Sequence, residues 1–233
     1  MSVGITNRQS PESPESPESP PDAGGDEQGR PPRRARDGRE RLLAGAGRLL
    51  AERGYAAMEL RDVAERGEAP RGSIYHHFPR GKAQLAAEAA ARDGERTRAL
   101  IERSLADNGV KGTLRLFADL FRRRSERHPE LIGCPIAAAA LARPEDPELA
   151  AVATAAFESW ERPIAAALAA QGIPAADAAA FAALAISTVE GALLRCRASG
   201  DHAPLDAAVR GLETAFDNLR DRMALGEDPQ RSV

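Results

Sequence analysis

The sequence predicts an all-α fold, and three observations carry that expectation. Alanine and arginine are abundant, whereas aromatic residues make up 4% of the chain and β-branched residues are scarce; that balance favours helices over strands. Apolar residues recur at helical spacing between proline and glycine boundaries. Once those segments are marked out, no pair of alternating apolar stretches remains to build a sheet.

The elements follow in order. Residues 1 to about 29 contain SPESPESPESPP, which has almost nothing apolar to bury and should stay disordered. The basic run RPPRRAR (Arg30 to Arg36) comes next, either as a solvated lead-in or as an arm whose Arg33, Arg34 and Arg36 add phosphate contacts. Regular structure is expected from near Asp37, where Leu42, Ala46, Leu49 and Leu50 share one helical face and Gly54 marks the stop. A short helix fits Leu60 to Gly67, with Leu60, Val63 and Ala64 on one side. Another fits Pro70 to His77, opened by Pro70 and ended by Pro79. Longer helices are expected over Lys82–Ala106 and Val110–His128. After the break at Pro129 to Pro135 come a short apolar piece and helices opened by Pro147, Pro174 or Ala175, and Pro204, the last reaching about Ala224.

At 233 residues the chain has room for one or two domains with real cores. There is no uninterrupted run of roughly 18 apolar residues and no charged-then-apolar leader, so a cytoplasmic protein with no membrane partner is expected. Cys134 and Cys196 are too few for a disulfide framework and stand in no metal-ligand spacing. Neither a metal nor a cofactor is expected. The net charge of −3 hides an asymmetry: Arg30 to Lys82 holds thirteen Lys/Arg against seven Asp/Glu. A basic segment on an acidic body suits a nucleic-acid binder.

The stretch RGSIYHHFPRGKAQL (Arg71 to Leu85) gathers Tyr75, His76, His77 and Phe78 in consecutive positions. Two short helices joined at Gly67 to Ala69, with small Ala64 at their crossing and Ala69 and Ile74 facing inward, have the spacing of a helix-turn-helix. Ile74 and Phe78 share a side and can pack on the first helix. Tyr75 and His76 then point outward, where a hydroxyl and an imidazole N–H suit phosphate oxygens. Lys82 opens the following helix, where anions are favoured. Adjacent His76 and His77 diverge by about 100° on a helix and make a poor chelate.

The run RDVAERGEAPRGSIYHHFPRGKAQL closely resembles the DNA-binding motif of the tetracycline-repressor (TetR) family. GCPIAAAALA and STVEGALLRCRASGDHAPLDAAVRGLETAF resemble the ligand and dimerisation domain of one branch. The resemblance implies residues 1–36 as tail and basic arm, 37–81 as a three-helix DNA-binding domain, 82–225 as an effector-binding and dimerisation domain, and 226–233 as a C-terminal tail. It implies a homodimer through the last two helices, a palindromic double-stranded DNA operator, and release by a small hydrophobic or amphipathic effector, with no enzymatic activity. In these terms Arg71 and Ser73 would face base edges or nearby phosphates, with the Arg71 fork suited to guanine. Tyr75 and His76 would hold phosphates and Lys82 would anchor the next helix. Phe117, Leu120, Phe121, Cys134, Ile136, Phe157, Trp160, Ile164 and Glu190 would line the effector site, with Gln171, Ser187 and Thr188 as further polar candidates.

Four positions, making three departures, differ from the family pattern. Glu68 stands where glycine usually supplies a left-handed turn, which costs about 1 kcal/mol unless Gly67 takes the strained angles instead. Met58 and Glu59 replace the usual Thr or Ser cap, and Pro70 removes a hydroxyl. These departures motivate an alternative: a small-molecule-binding relative with weakened or lost operator binding.

Overall fold

Residues 33–70, 72–128 and 133–224 are described by a computed structural model, with side chains from Gly38 onward. They form α1 (Arg33–Arg53), α2 (Leu60–Arg66), α3 (Gly72–His77), α4 (Lys82–Arg127), α5 (Pro135–Leu141), α6 (Pro147–Ala169), α7 (Ala175–Ser199) and α8 (Ala203–Ala224). No strand occurs among the described residues. From Arg33 onward the contacts make one compact unit.

Helix α1 starts at Arg33, ahead of the Asp37 start expected from sequence. Arg33, Arg34 and Arg36 therefore belong to a helix that begins ahead of the boundary expected after residue 36. Arginine is a good helix former, so the run can extend the amphipathic segment behind it backwards past Asp37. Leu42, Leu43, Ala46, Leu49 and Leu50 form its buried stripe. Against that stripe lie Met58, Val63, Ala64, Ile74, Phe78 and Leu85, all buried. Each fully buried aliphatic or aromatic side chain contributes about 2 kcal/mol relative to exposure, and this cluster holds the two short helices that are too brief to stand alone.

The turn between α2 and α3 resolves the alternative at residues 67 and 68. Glu68 takes the left-handed conformation, at φ 47, while Gly67 is right-handed at φ −81. Gly67 is needed for another reason: a Cβ there would lie 3.1 Å from the Val63 carbonyl oxygen and 3.3 Å from that of Arg41. Its own carbonyl accepts a 3.0 Å hydrogen bond from Arg41 Nε. The end of α2 is thus pressed directly onto α1. Glu59 caps α2 in position only, with no side-chain hydrogen bond to the helix, and Met58 is core.

Helix α4 runs through a kink at Gly109 (φ 66, ψ −172), where sequence placed the break between two helices. It packs on α6, α1, α8 and α5. Asp146 Oδ1 caps α6 by accepting from the Leu149 N–H at 3.0 Å, with Pro147 in the first turn as expected. Helix α8 buries Leu205, Val209, Leu212, Phe216 and Leu219, a stripe of spacings four, three, four and three. Phe181 of α7 meets Phe216 at 6.0 Å between ring centres.

Among the described residues, α7 is by length and composition apolar enough to cross a membrane. Ser187, Thr188 and Glu190 interrupt its apolar sequence, so it holds no unbroken apolar run of that length. Leu184 and Leu194 stand 49% and 66% exposed on it.

Candidate nucleic-acid interface and internal cavity

Helix α3 sorts its ring cluster by the geometry of one turn. Phe78 and Ile74 face α1 and are buried, while Tyr75 is 62% exposed and His76 is exposed. His77 lies between: its ring packs edge-on to His76 and Phe78 beside Gly38 of α1. Burial, then the neighbouring His76 and Arg39, hold the His77 pKa below the ordinary imidazole value. The guanidinium of Arg39 rests 5.2 Å from the Phe78 ring centre. The outward edge of α3 therefore presents a phenol and an imidazole on a helix fixed from behind by its apolar side.

Other residues expected at this surface are placed differently. The Ser73 hydroxyl donates to the Pro70 carbonyl at 2.6 Å and so closes the first turn of its own helix. The Lys82 ammonium donates to the Ala56 carbonyl at 3.1 Å and lies 4.6 Å from the Tyr55 ring centre. It ties the start of α4 to the loop after α1, an internal fastening that the spacing alone did not reveal. Arg71 lies outside the described residues, as do the side chains of Arg33, Arg34 and Arg36. Arg61 is prominent at the surface beside Asp62, and Glu59, Glu65 and Glu68 are exposed carboxylates around the same motif.

The second feature is a largely apolar cavity of about 240 Å³ between α4, the Gly133–Pro135 segment, α6 and α7. Phe117, Leu120, Phe121, Cys134, Trp160, Ile164 and Glu190 line it, joined by Leu100, Leu114, Val189, Leu193 and Arg124. Ile136 and Phe157 do not line it: Ile136 is in the core, and Phe157 packs edge-on to Trp160 from outside, 5.3 Å between centres. Gln171, Ser187 and Thr188 are also off the wall. Gln171 sits exposed at the end of α6, bonded to the Ala167 carbonyl. Trp160 offers its ring only, since its N–H donates to the Gly94 carbonyl at 2.8 Å.

The polar part of the wall is unusual. Burial pushes the Glu190 carboxyl up to about 7, partly offset by the Cys134 S–H that it accepts. Burial, and then the Glu190 carboxylate, drives the Cys134 thiol well above its ordinary pKa. Cys134 is therefore a protonated thiol and a poor nucleophile. Cys196 is fully buried. Among the described residues no group of three His, Cys, Asp or Glu side chains could hold a metal.

One wall of the cavity is bonded to the end of α1. Arg197, two turns beyond Glu190 on α7, donates to the carbonyl of Ala51 at 2.9 Å and also to that of Glu52, in the last turn of α1. Gly133 is pressed into the same place: a Cβ there would lie 2.5 Å from the Ala51 carbonyl oxygen and 3.1 Å from Arg197 Nη1. Neighbouring Cys134 faces the cavity. Tyr55, just after α1, sits near the α6 cap, where burial and then Asp146 push its phenol up to about 12.

Comparison with known proteins agrees with this architecture. Residues 42–89 match the family model of bacterial regulatory proteins of the tetR family, and residues 110–211 match the C-terminal domain of LmrA/YxaF-like transcriptional regulators. An HTH-type transcriptional regulator of Mycobacterium tuberculosis, itself uncharacterised, is 36% identical over 200 residues, spanning 83% of this chain and 97% of that protein. The YxaF regulator of Bacillus subtilis is 31% identical over 172 residues, 72% of this chain and 90% of its own. A TetR transcriptional regulator from Chloroflexus aurantiacus superposes with a TM-score of 0.66 at 32% identity, covering 79% of this chain and 96% of that one. With a two-helix reading head, a helical body and relatives matched along nearly their whole length, the chain belongs to the TetR family of DNA-binding transcriptional regulators, which are not enzymes.

Proposed function

We propose that this regulator is a repressor that binds a palindromic operator as a homodimer and is released by a small hydrophobic or amphipathic effector in the cavity. The observation that carries the proposal is the continuity of α7. The helix contributes Val189, Glu190 and Leu193 to the cavity wall and then, through Arg197, holds the last carbonyls of α1. Filling the cavity would displace α7 and, with it, the base of the reading head. The coupling is reciprocal, so an effector that lowers operator affinity binds less well to the operator complex.

Dimerisation through α7 and α8 is supported by their outward faces. Ala180, Leu184, Ser187, Gly191 and Leu194 are exposed along α7, and Ala207, Gly211, Thr214 and Asn218 along α8. A small-residue surface with two protruding leucines permits close helix packing and leaves apolar area that a second copy would cover. Tyr75 and His76 would contact phosphates, and Arg71 would read a base.

The test is a gel shift with the DNA just upstream of the protein's own gene, followed by footprinting. Repressor function predicts a shift that weakens steeply with salt and a two-fold symmetric footprint. Failure to shift at low salt would favour the second reading, a small-molecule-binding relative with weakened operator contact. The strained Glu68 and the uncapping Glu59, both exposed carboxylates beside α3, are what favour it.

A further inference from the structure

Among the polar groups on the cavity wall, all but one have a protein partner or no charge. The Thr113 hydroxyl is engaged with Ser104 Oγ at 3.0 Å and the Gly109 carbonyl at 2.8 Å. Cys134 donates to Glu190, and the Trp160 N–H is satisfied by Gly94. Thr97 is neutral. Arg124 is the exception.

Its partly buried guanidinium makes no side-chain hydrogen bond and no ion pair within 4.0 Å among the described residues, whereas nearby Arg122 pairs with both Asp119 and Asp206. Burial lowers the Arg124 pKa, the field of Asp93 only partly opposes this, and Arg48 adds repulsion. Asp93 is itself engaged beside Arg92, 3.7 Å away. A partly desolvated cation with five N–H donors beside an apolar cavity is costly unless something negative meets it.

Resting on the reading that this cavity holds the effector, we infer that the effector is an amphipathic anion: an apolar, ring-sized body carrying one carboxylate, sulfonate or phenolate that Arg124 clasps. Aliphatic and aromatic walls take the body, and the planar fork of Arg124 takes the acid in a charge-assisted, two-point contact. Glu190 makes no ion pair with Arg124 within 4.0 Å.

The test is fluorescence titration of the full chain with anilinonaphthalene sulfonate and with its unsulfonated parent, phenylnaphthylamine. The wild type is expected to bind the sulfonate about tenfold or more tighter than the parent. Arg124→Gln should remove that preference while leaving the affinity for the parent unchanged, and Arg124→Lys should keep part of it. Equal affinity for both dyes in the wild type, or an Arg124→Gln variant that weakens both alike, would overturn the inference. Val189→Phe, which fills the cavity, separates the two levels. If it abolishes both dyes while Arg124 is indifferent, the cavity reading stands and the anion clasp falls. If it affects neither dye, the dyes sit elsewhere and both readings fall.

Discussion

Replacing Glu68 by glycine should stabilise the protein, an uncommon outcome for a point substitution. Glu68 is held at φ 47, its side chain is exposed, and among the described residues that side chain makes no hydrogen bond or ion pair. An L-residue in the left-handed region costs about 1–2 kcal/mol. Glycine would remove that cost but lose about 0.4–1 kcal/mol through the greater freedom of the unfolded chain. The net expectation is a gain of about 0.5–1 kcal/mol, or roughly 1–4 °C in Tm for a chain of this size. Loss of a carboxylate beside α3 should also tighten operator binding a few-fold at low salt, an effect that fades as salt screens it. Glu68→Gln separates the terms: it discards the charge and keeps the strain, so it should tighten DNA binding without raising Tm. The neighbour should respond in the opposite direction. Gly67→Ala brings a Cβ against the Val63 and Arg41 carbonyls and should cost about 1–3 kcal/mol. Differential scanning calorimetry and fluorescence anisotropy check all three variants. A Glu68→Gly variant that melts lower than wild type, or a Glu68→Gln variant that gains as much Tm as glycine, would refute the assignment of strain to this residue.

Glu190→Gln should be nearly neutral at pH 4.5 and increasingly stabilising up to pH 7. The wild-type carboxyl is raised from 4.5 to about 7 by burial, so the unfolded chain ionises first and stability falls between those values by at most about 3 kcal/mol; a Tm difference that does not vary with pH would contradict this. Arg197→Ala removes two donors from the α1 carbonyls and should cost about 1–3 kcal/mol. It should leave effector binding intact while shrinking the effector's influence on operator affinity, measured as the ratio of DNA dissociation constants with and without effector. Leu194→Glu, on the exposed face of α7, should shift sedimentation from dimer toward monomer. Tyr75→Phe or His76→Ala, both at exposed positions, should change stability by less than about 0.5 kcal/mol.

The order of the helices was legible because proline and glycine punctuate this chain at nearly every boundary: Pro147 and Pro174 mark starts, and Gly109 marks the kink. The division of α3 into a buried Ile74–Phe78 side and an exposed Tyr75–His76 side followed from 3.6-residue periodicity alone. Contacts between distant segments were less accessible. Nothing local distinguishes Gly67 from Glu68 as the left-handed residue, and the glycine at 67 answers a different need, the approach of α2 to the Arg41 carbonyl, where a Cβ has no room. Spacing makes Lys82 a candidate phosphate ligand but does not reveal the Ala56 carbonyl and Tyr55 ring beneath it. Arg124 was missed because it stands in the run RRR at 122–124, which resembles a solvated charge patch. Only the helical phase relative to Phe117 and Phe121 could have hinted that it turns toward the cavity. Phe157 and Ile136 are bulky like the lining residues, and spacing cannot tell the two sides of a wall apart.

The central claim is that α3 carries a duplex-facing edge of which Tyr75 and His76 are part. Anisotropy titrations of labelled upstream DNA over a range of salt, with wild type, Tyr75→Phe and His76→Ala, address it most directly. A duplex-facing edge predicts a steep inverse salt dependence for the wild type, and for each variant weaker binding to every sequence tested with a shallower slope. Variants that bind as tightly and with the same slope as the wild type would contradict it.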